Sequence, residues 1–343
     1  MGYKQIQPDD LVISTDSVTG TVWSANNPTL TTFFTSSTQV SANTGKYYYN
    51  IYNTASTIST SEVQFGISYG NKDGSGSSWY NILVTGSSPT KTMYGQYRNL
   101  ILADENAPFV FGNFTSSDFY AISVERSRYK EKFLPGTMTM VLSGSGGKLY
   151  LTDDSLVASS IIFKDAGRVY NIVSGSAGSV YTGINSTGYA GGAGAASGSY
   201  GWFLPDIGTI LLNPSALGGA VAAGGLLMTT LKNSNTDDNN PGKLFTAISG
   251  GASFLLNSEE TISSVYSFVR IKNSEFNYSE NPSFISGSTG AVLYDSFINS
   301  PQTYITAVGL YNDSNELLAI AKLSRPLVKD FVREALLRIK LDF

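Results

Sequence analysis

The run Thr303-Tyr-Ile-Thr-Ala-Val-Gly-Leu-Tyr311, then Asn312-Asp-Ser-Asn315, then Glu316-Leu-Leu-Ala-Ile-Ala-Lys-Leu323 decides the fold class. Two apolar stretches of strand length flank a cluster of turn residues, the pattern of a β-hairpin with a four-residue loop. The chain then ends in Leu337-Arg-Ile-Lys-Leu-Asp-Phe343, which alternates strictly. Leu337, Ile339, Leu341 and Phe343 point one way; Arg338, Lys340 and Asp342 point the other. A chain that closes on such a strand has a docked end where most domains fray. This end reads as an attachment device, with hairpin 303–323 and final strand 335–343 forming an antiparallel meander. Pro326 and a short helical turn near Asp330 are expected to interrupt it.

The same grammar extends through the 343 residues. Charged residues make up only 14%, against about 25% in ordinary soluble domains. Short aromatic and β-branched runs punctuated by Gly, Ser and Asn imply a mainly β protein. Tyr47–Tyr52, Val63–Tyr69, Trp79–Val84, Phe119–Val124 and Ser264–Ile271 read as strands. So do Phe245–Ile248 and Ser253–Leu256. Thr137–Leu142 and Lys148–Thr152 flank a hairpin tip. Val63, Phe65, Ile67 and Tyr69 alternate as in a half-buried strand, and Met93–Leu102 is the best helix candidate. Residues 183–201 and 229–243 read as loops. The expected architecture is a set of β-sandwich or β-barrel-like modules with few short helices. It comprises an arm or strands over 1–45, a β domain with one helix over 46–155, a β domain with long Gly/Ala/Ser loops over 156–245, and a C-terminal β module over 246–343.

Residue chemistry narrows the function classes. Cysteine and histidine are both absent. This rules out disulfides, thiolate zinc, Ser-His-Asp and Cys-His catalysis, and removes the usual general base near neutral pH. Net charge is −4, which argues against a dedicated nucleic-acid binder. The most apolar stretch, Ile207–Met228, is broken by Asn213, Pro214 and five glycines. It reads as a buried strand followed by a small-residue packing segment, not a membrane span. Ser143–Lys148 lacks the spacing of a phosphate loop and reads as a hairpin tip. The acid pairs Asp9-Asp10, Asp104-Glu105, Asp153-Asp154, Asp237-Asp238 and Glu259-Glu260 read as turns and caps, since a glycosidase needs two carboxylates set across a sugar. Asn235–Asn240 offers oxygen ligands without the spacing of a calcium loop. No cofactor or metal is expected.

Two residue groups remain as candidate contact surfaces. Arg126, Arg128, Lys130 and Lys132 alternate with Ser127, Tyr129 and Glu131, so on a strand the four cations share a face. That face is either a solvated salt-bridge ladder or a contact to an acidic neighbouring subunit. Lys322, Arg325, Lys329, Arg333, Arg338 and Lys340 give the C-terminal module a similar basic tilt. From these groups and the terminal strand, Arg126, Arg128, Lys130, Lys132, Arg338, Lys340 and Phe343 are the candidate interface residues. Tyr47, Tyr48, Tyr49, Tyr52, Tyr94 and Tyr97 read as interface anchors in preference to a sugar-stacking surface.

Several segments resemble a family of virion structural proteins from contractile-tailed phages, particularly the large myophages of cyanobacteria. They are Met93–Arg98, Tyr120–Lys132, Asp165–Tyr170, Ile172–Ser176, Asn257–Ile262, Asn273–Pro282 and Phe297–Pro326. Val308–Ile320 is also similar to a hairpin near fibre-attachment and collar regions of phage tail proteins. The resemblance implies a non-enzymatic structural component, at the baseplate or tail periphery, present in multiple copies. It would contact other virion proteins, tail or fibre subunits among them, and be assembled in the host cytoplasm. A receptor- or glycan-binding tail module and a capsid, neck or collar decoration protein are the alternatives. The family supplies no catalytic residue to carry over.

Overall fold

The computed structural model describes residues 4–35, 41–42, 45–46, 48–76, 88–180, 199–220, 224–228 and 240–342. The expected strand Trp79–Val84, Tyr47, most of the 183–201 and 229–243 loops, and Phe343 lie outside these residues. The protein is mainly β, with a large curled antiparallel half-barrel sheet and an antiparallel C-terminal meander. The chain divides into two compact units, Val18–Glu260 and Met1–Ser17 with Thr261–Phe343. One sheet takes strands from both sides of residues 155–160, where the sequence placed a boundary.

In the larger unit that sheet has thirteen strands. Its central strands run in the order Thr139–Gly144, Gly147–Asp153, Gly167–Ser176, Gly201–Leu204, Thr209–Leu212, Asp118–Val124, Val63–Asn71 and Tyr48–Tyr52. Register assigns the two faces. Ile67 lies opposite Ile122, Ile122 opposite Ile210, Ile210 opposite Phe203 and Phe203 opposite Tyr170. This row belongs to the main core with Phe65, Met140, Leu142, Leu151 and Phe254. One residue along, Ser68, Ala121, Leu211 and Trp202 form the matching row on the opposite face. Ala121, Leu211 and Trp202 belong to a second core with Tyr94, Phe109, Phe111 and Phe119. Because both faces are covered, Val63–Asn71 is buried on both sides from Gln64 to Asn71, except for half-buried Gly66. The expected half-exposed alternation fails there.

Two helices provide the cover. Helix α1 (Pro89–Leu102) starts with Ser88 accepting a hydrogen bond from the Lys91 N–H and with Pro89 in its first turn. It ends at Ala103, which adopts the left-handed conformation. Thr90, Tyr94 and Ile101 are its buried residues. Gly70 of the strand beneath lets it lie close: a Cβ there would sit 3.1 Å from the Tyr94 backbone nitrogen and 2.8 Å from the Phe119 ring.

On the main core lies a second helix over Asn240–Gly251, whose Leu244, Ala247, Ile248 and Gly251 are buried. This corrects the sequence reading, which made Phe245–Ile248 a strand. The buried positions recur at helical spacing, and Pro241 near the start has no N–H to lose in a first turn. The neighbouring expected strand, Ser253–Leu256, is present as the short strand Phe254–Leu255, paired between Thr29–Leu30 and Thr139–Gly144.

Buried charge in this unit is sparse. Asp118 accepts hydrogen bonds from the Tyr69 hydroxyl at 2.8 Å and from Ser116 Oγ at 3.2 Å. Burial nevertheless pushes its carboxyl above the ordinary range, the hydrogen bonds pulling back only in part. A carboxyl raised by folding contributes stability that is complete below its unfolded value and lost as pH rises through its folded value. Asp118→Asn keeps two polar atoms for the two hydroxyls and cannot ionise. It is expected to gain about 1 kcal/mol over the wild type at neutral pH, with the gain shrinking under acid. Urea denaturation of both proteins across pH measures this; an advantage that does not grow with pH would refute it.

The smaller unit is built differently. Strand Asn257–Ile271 runs on into it and pairs with Ala335–Asp342 in eight antiparallel pairs, from Ser264 opposite Asp342 to Ile271 opposite Ala335. Strand Leu11–Thr21 lies along the same long strand. Strands Thr303–Tyr311 and Leu317–Lys329 form a separate two-stranded ribbon. Pro326 sits inside the second strand and does not end it. Near Asp330 there are bends in place of the expected helical turn; Asp330 Oδ1 accepts from the N–H groups of Val332 and Arg333 there. The alternation of the last strand holds, with Leu337, Ile339 and Leu341 turned inward and Arg338, Lys340 and Asp342 exposed.

Candidate interaction surfaces

The basic run of the larger unit does not form a strand. Arg126–Arg128 is a turn of 3₁₀ helix, and only Lys132 enters a strand, Lys132–Phe133. Each cation has its own local partner. Arg126 bonds the Glu131 carbonyl at 3.0 Å and lies 4.7 Å from the centre of the Tyr129 ring. Arg128 pairs with Glu62 at 2.7 Å, Lys130 pairs with Glu260, and Lys132 lies 3.8 Å from Glu259. Lys130 and Lys132 therefore tie the loop to strand Asn257–Ile271, Arg128 ties it to Glu62 just before strand Val63–Asn71, and Arg126 bonds within the loop; the four do not alternate on one strand as the sequence suggested. Exposed pairs of this kind add at most about 1 kcal/mol each.

In the smaller unit, Lys340 bonds Asp342 at 3.0 Å, and Asp342 accepts from Ser264 Oγ at 2.7 Å. The Ser264 hydroxyl, then Lys340, holds the Asp342 carboxyl below its ordinary value; the hydrogen bond to Asp342 raises Lys340. Arg338 and Lys340 both lie over the Tyr266 ring, at 5.6 and 5.8 Å. These cations brace the last strand against its neighbour.

Lys329 is a departure from the expected basic tilt. Its side chain is fully buried, and Nζ donates to the Asn273 carbonyl at 2.9 Å, to Asn277 Oδ1 at 2.8 Å and to the Asp330 carbonyl at 2.8 Å. Thr303, directly opposite it in the ribbon, is also buried and bonds the Phe276 carbonyl at 2.7 Å. Both residues of the ribbon's first pair thus anchor it to the segment 273–277.

In each described acid pair at least one member is held by a contact within the chain. Asp10 bonds Arg270, Asp104 accepts from the Asn106 N–H, and Asp154 accepts from the backbone and side chain of Asn171. Asp153 is buried and accepts from the Gly136 N–H at 2.7 Å. Burial raises its carboxyl above the usual range. Asp237 and Asp238 lie outside the described residues. Among the described residues no group of three or more Asp or Glu side chains is placed to hold a metal. No helix among them is long and apolar enough to cross a membrane.

Of the described candidate tyrosines, Tyr48, Tyr52 and Tyr97 are half-buried and two are buried. Tyr49 and Tyr94 are core residues, and Tyr94 stacks on Phe119 with its ring 5.5 Å away. Tyr97 shares a 2.7 Å hydrogen bond with Ser123. Neither Tyr49 nor Tyr94 is free to anchor an interface, because the helix α1 layer and the main core bury them.

What the sequence did not single out is the distribution of apolar surface. In the smaller unit, Ile271 and Ile339 are the only buried apolar residues among those described. Leu11, Val12, Ile13, Tyr294, Ile298, Tyr304, Leu318, Ile320, Val332 and Leu336 are all exposed. From Tyr304 to Val328 no residue of the ribbon is buried. A second, smaller exposed cluster lies in the larger unit at Leu156, Val157, Ile161, Ile162 and Phe163. The signal for the first was present in the sequence as two apolar strands with nothing apolar spaced to cover them. No protein-family model matches the chain, and neither a curated protein nor a solved structure matches it.

Proposed function

We propose that this protein is a non-catalytic building block of a contractile-tailed phage particle, set at the baseplate or tail periphery, where its smaller unit is covered by neighbouring subunits. One observation carries the assembly half of this reading: a unit of strands with two buried apolar residues and a long exposed ribbon. Small folds without disulfides, metals or a core are stabilised by association. An isolated two-stranded hairpin is marginal in water. The phage half rests on the resemblance of segments between Met93 and Pro326.

The terminal strand is the first test. Deleting residues 335–343 strips Asn257–Ile271 of eight paired residues. The truncated protein, expressed in an infected host in place of the wild type, is expected to be missing from purified particles while its larger unit remains folded by circular dichroism. Truncated protein at wild-type abundance in the particles would refute the role of this unit in assembly. Wild-type protein absent from particles would refute the building-block reading as a whole.

A further inference from the structure

The ribbon's open edge, more than its faces, identifies what meets it. Strand Thr303–Tyr311 pairs with Leu317–Lys329 on one side, and its other edge is unpaired among the described residues. Alternate residues of this nine-residue strand turn their N–H and C=O groups along that edge. Only another extended backbone can satisfy such a row. The nine residues include no charge and no proline.

The neighbouring edges are guarded. Leu317–Lys329 carries Lys322, Arg325 and Pro326, and its register slips where Ile305 and Ala307 face Leu327 and Lys322. Leu11–Thr21 carries Asp16 at its centre, and Ala335–Asp342 carries Arg338, Lys340 and Asp342. Charge, proline and bulges are the features that stop a further strand from adding to a sheet. Of these four edges, Thr303–Tyr311 alone lacks them.

The edge selects its own copy. An antiparallel edge is its own hydrogen-bonding complement about a two-fold axis. The register that pairs the whole strand sets that axis at Ala307, a small exposed residue. Tyr304 then meets Leu310 of the other copy, Ile305 meets Gly309 and Thr306 meets Val308, with no like charges opposed. The same operation on Leu11–Thr21 would set Asp16 against Asp16. Lys322, which faces Ala307 within its own ribbon, ends three strand spacings from its copy, about 14 Å, beyond the screening length of about 8 Å. Because each ribbon has one unguarded edge, addition stops at two copies. The product is one sheet of four strands with both outer edges guarded, where a lone two-stranded ribbon is marginal in water.

Area sets the strength. An edge about 30 Å long removes a few hundred Å² from each copy, less than the roughly 800 Å² of a standing interface. The pair is therefore weak in free solution and firm where copies are held side by side, as in a particle. The inference rests on the building-block reading for that closeness alone.

We infer that Thr303–Tyr311 pairs antiparallel with the same strand of a second copy, about a two-fold axis at Ala307, joining two ribbons into one sheet.

Sedimentation velocity of the full chain tests this from about 1 to 300 µM, the span in which interfaces of this size associate. Wild type is expected to pass from monomer to dimer. Ala307→Lys sets cation against cation at the axis, and Ala307→Asp sets carboxylate against carboxylate. Each is expected to weaken pairing at least about tenfold. An equimolar mixture of the two is expected to restore the dimer as a mixed pair, identified by native mass spectrometry. A misfolded variant could not give that restoration. A wild type monomeric throughout overturns the inference, as does one that grows beyond the dimer. So do variants that pair as wild type does, or a mixture no tighter than its components. A monomeric wild type that still enters particles overturns the pairing and leaves the building-block role standing.

Discussion

Gly251→Ala is expected to cost at least about 3 kcal/mol of unfolding free energy. Gly251 ends the helix Asn240–Gly251 and is buried against strand Thr139–Gly144. A Cβ at Gly251 would stand 1.7 Å from the Val141 carbonyl oxygen, 2.4 Å from its carbon and 3.1 Å from the Leu142 nitrogen. These are backbone atoms in a paired strand, which cannot swing aside as the end of a flexible side chain would. The helix must lift, taking Leu244, Ala247 and Ile248 out of contact with the main core. Gly95 supplies the contrast. It lies within helix α1, and a Cβ there would meet nothing within 4 Å. Gly95→Ala removes backbone freedom from the unfolded chain and is expected to stabilise by about 0.5 to 1 kcal/mol. Urea denaturation followed by tryptophan fluorescence compares the two. A Gly251→Ala protein within 1 kcal/mol of the wild type would mean that the helix does not sit this close to the sheet.

The same helix shows where reading a sequence stops. Phe245-Thr-Ala-Ile248 has the composition of a strand, and a window that short cannot separate period two from period three to four. The deciding residues, Pro241 and Gly251, lie outside it, and Gly251 matters through a backbone more than a hundred residues away. The basic run failed for a related reason. Alternation of charge over Arg126–Lys132 mimics a strand face, yet the partners that set its shape are Glu62, Glu259 and Glu260. The hairpin and final strand were legible because their signals are local: turn residues between apolar runs, and strict alternation to the end. The join of residues on both sides of 155–160 into one sheet was not legible, because Thr209–Leu212 reaches back to pair with Asp118–Val124. Of the candidate surface, its location at the C-terminal end was legible. Its cause, a unit almost without buried apolar residues, required knowing what stays uncovered.

Lys329→Met is expected to free the ribbon from its unit at a cost of about 3 kcal/mol, leaving the larger unit intact. The side chain is fully buried, and its nitrogen is satisfied by three oxygens, none of them a carboxylate. Methionine fills a similar volume but donates nothing. The Asn273 carbonyl keeps a second donor, Asn277 Nδ2 at 2.7 Å. Asn277 Oδ1 and the Asp330 carbonyl lose the lysine bond in a site closed to solvent. Each orphaned oxygen costs about 1 to 3 kcal/mol, so two of them set the scale. Because the unit has almost no apolar core to share the load, the loss falls on the ribbon's base, where Thr303 alone would still hold segment 273–277. Hydrogen exchange reads this by region. Amides of Thr303–Lys329 and of the residues around Asn277 should exchange faster in Lys329→Met, with Asp118–Val124 unchanged. Lys322→Met, at an exposed position on the same strand with no ion pair among the described residues, should leave every region within about 0.5 kcal/mol of the wild type. Equal protection of the ribbon in Lys329→Met and Lys322→Met would show that the three-oxygen cage does not hold it. The smaller unit would then owe its shape to something other than polar anchors at the base of an arm that waits for its neighbours to bury it.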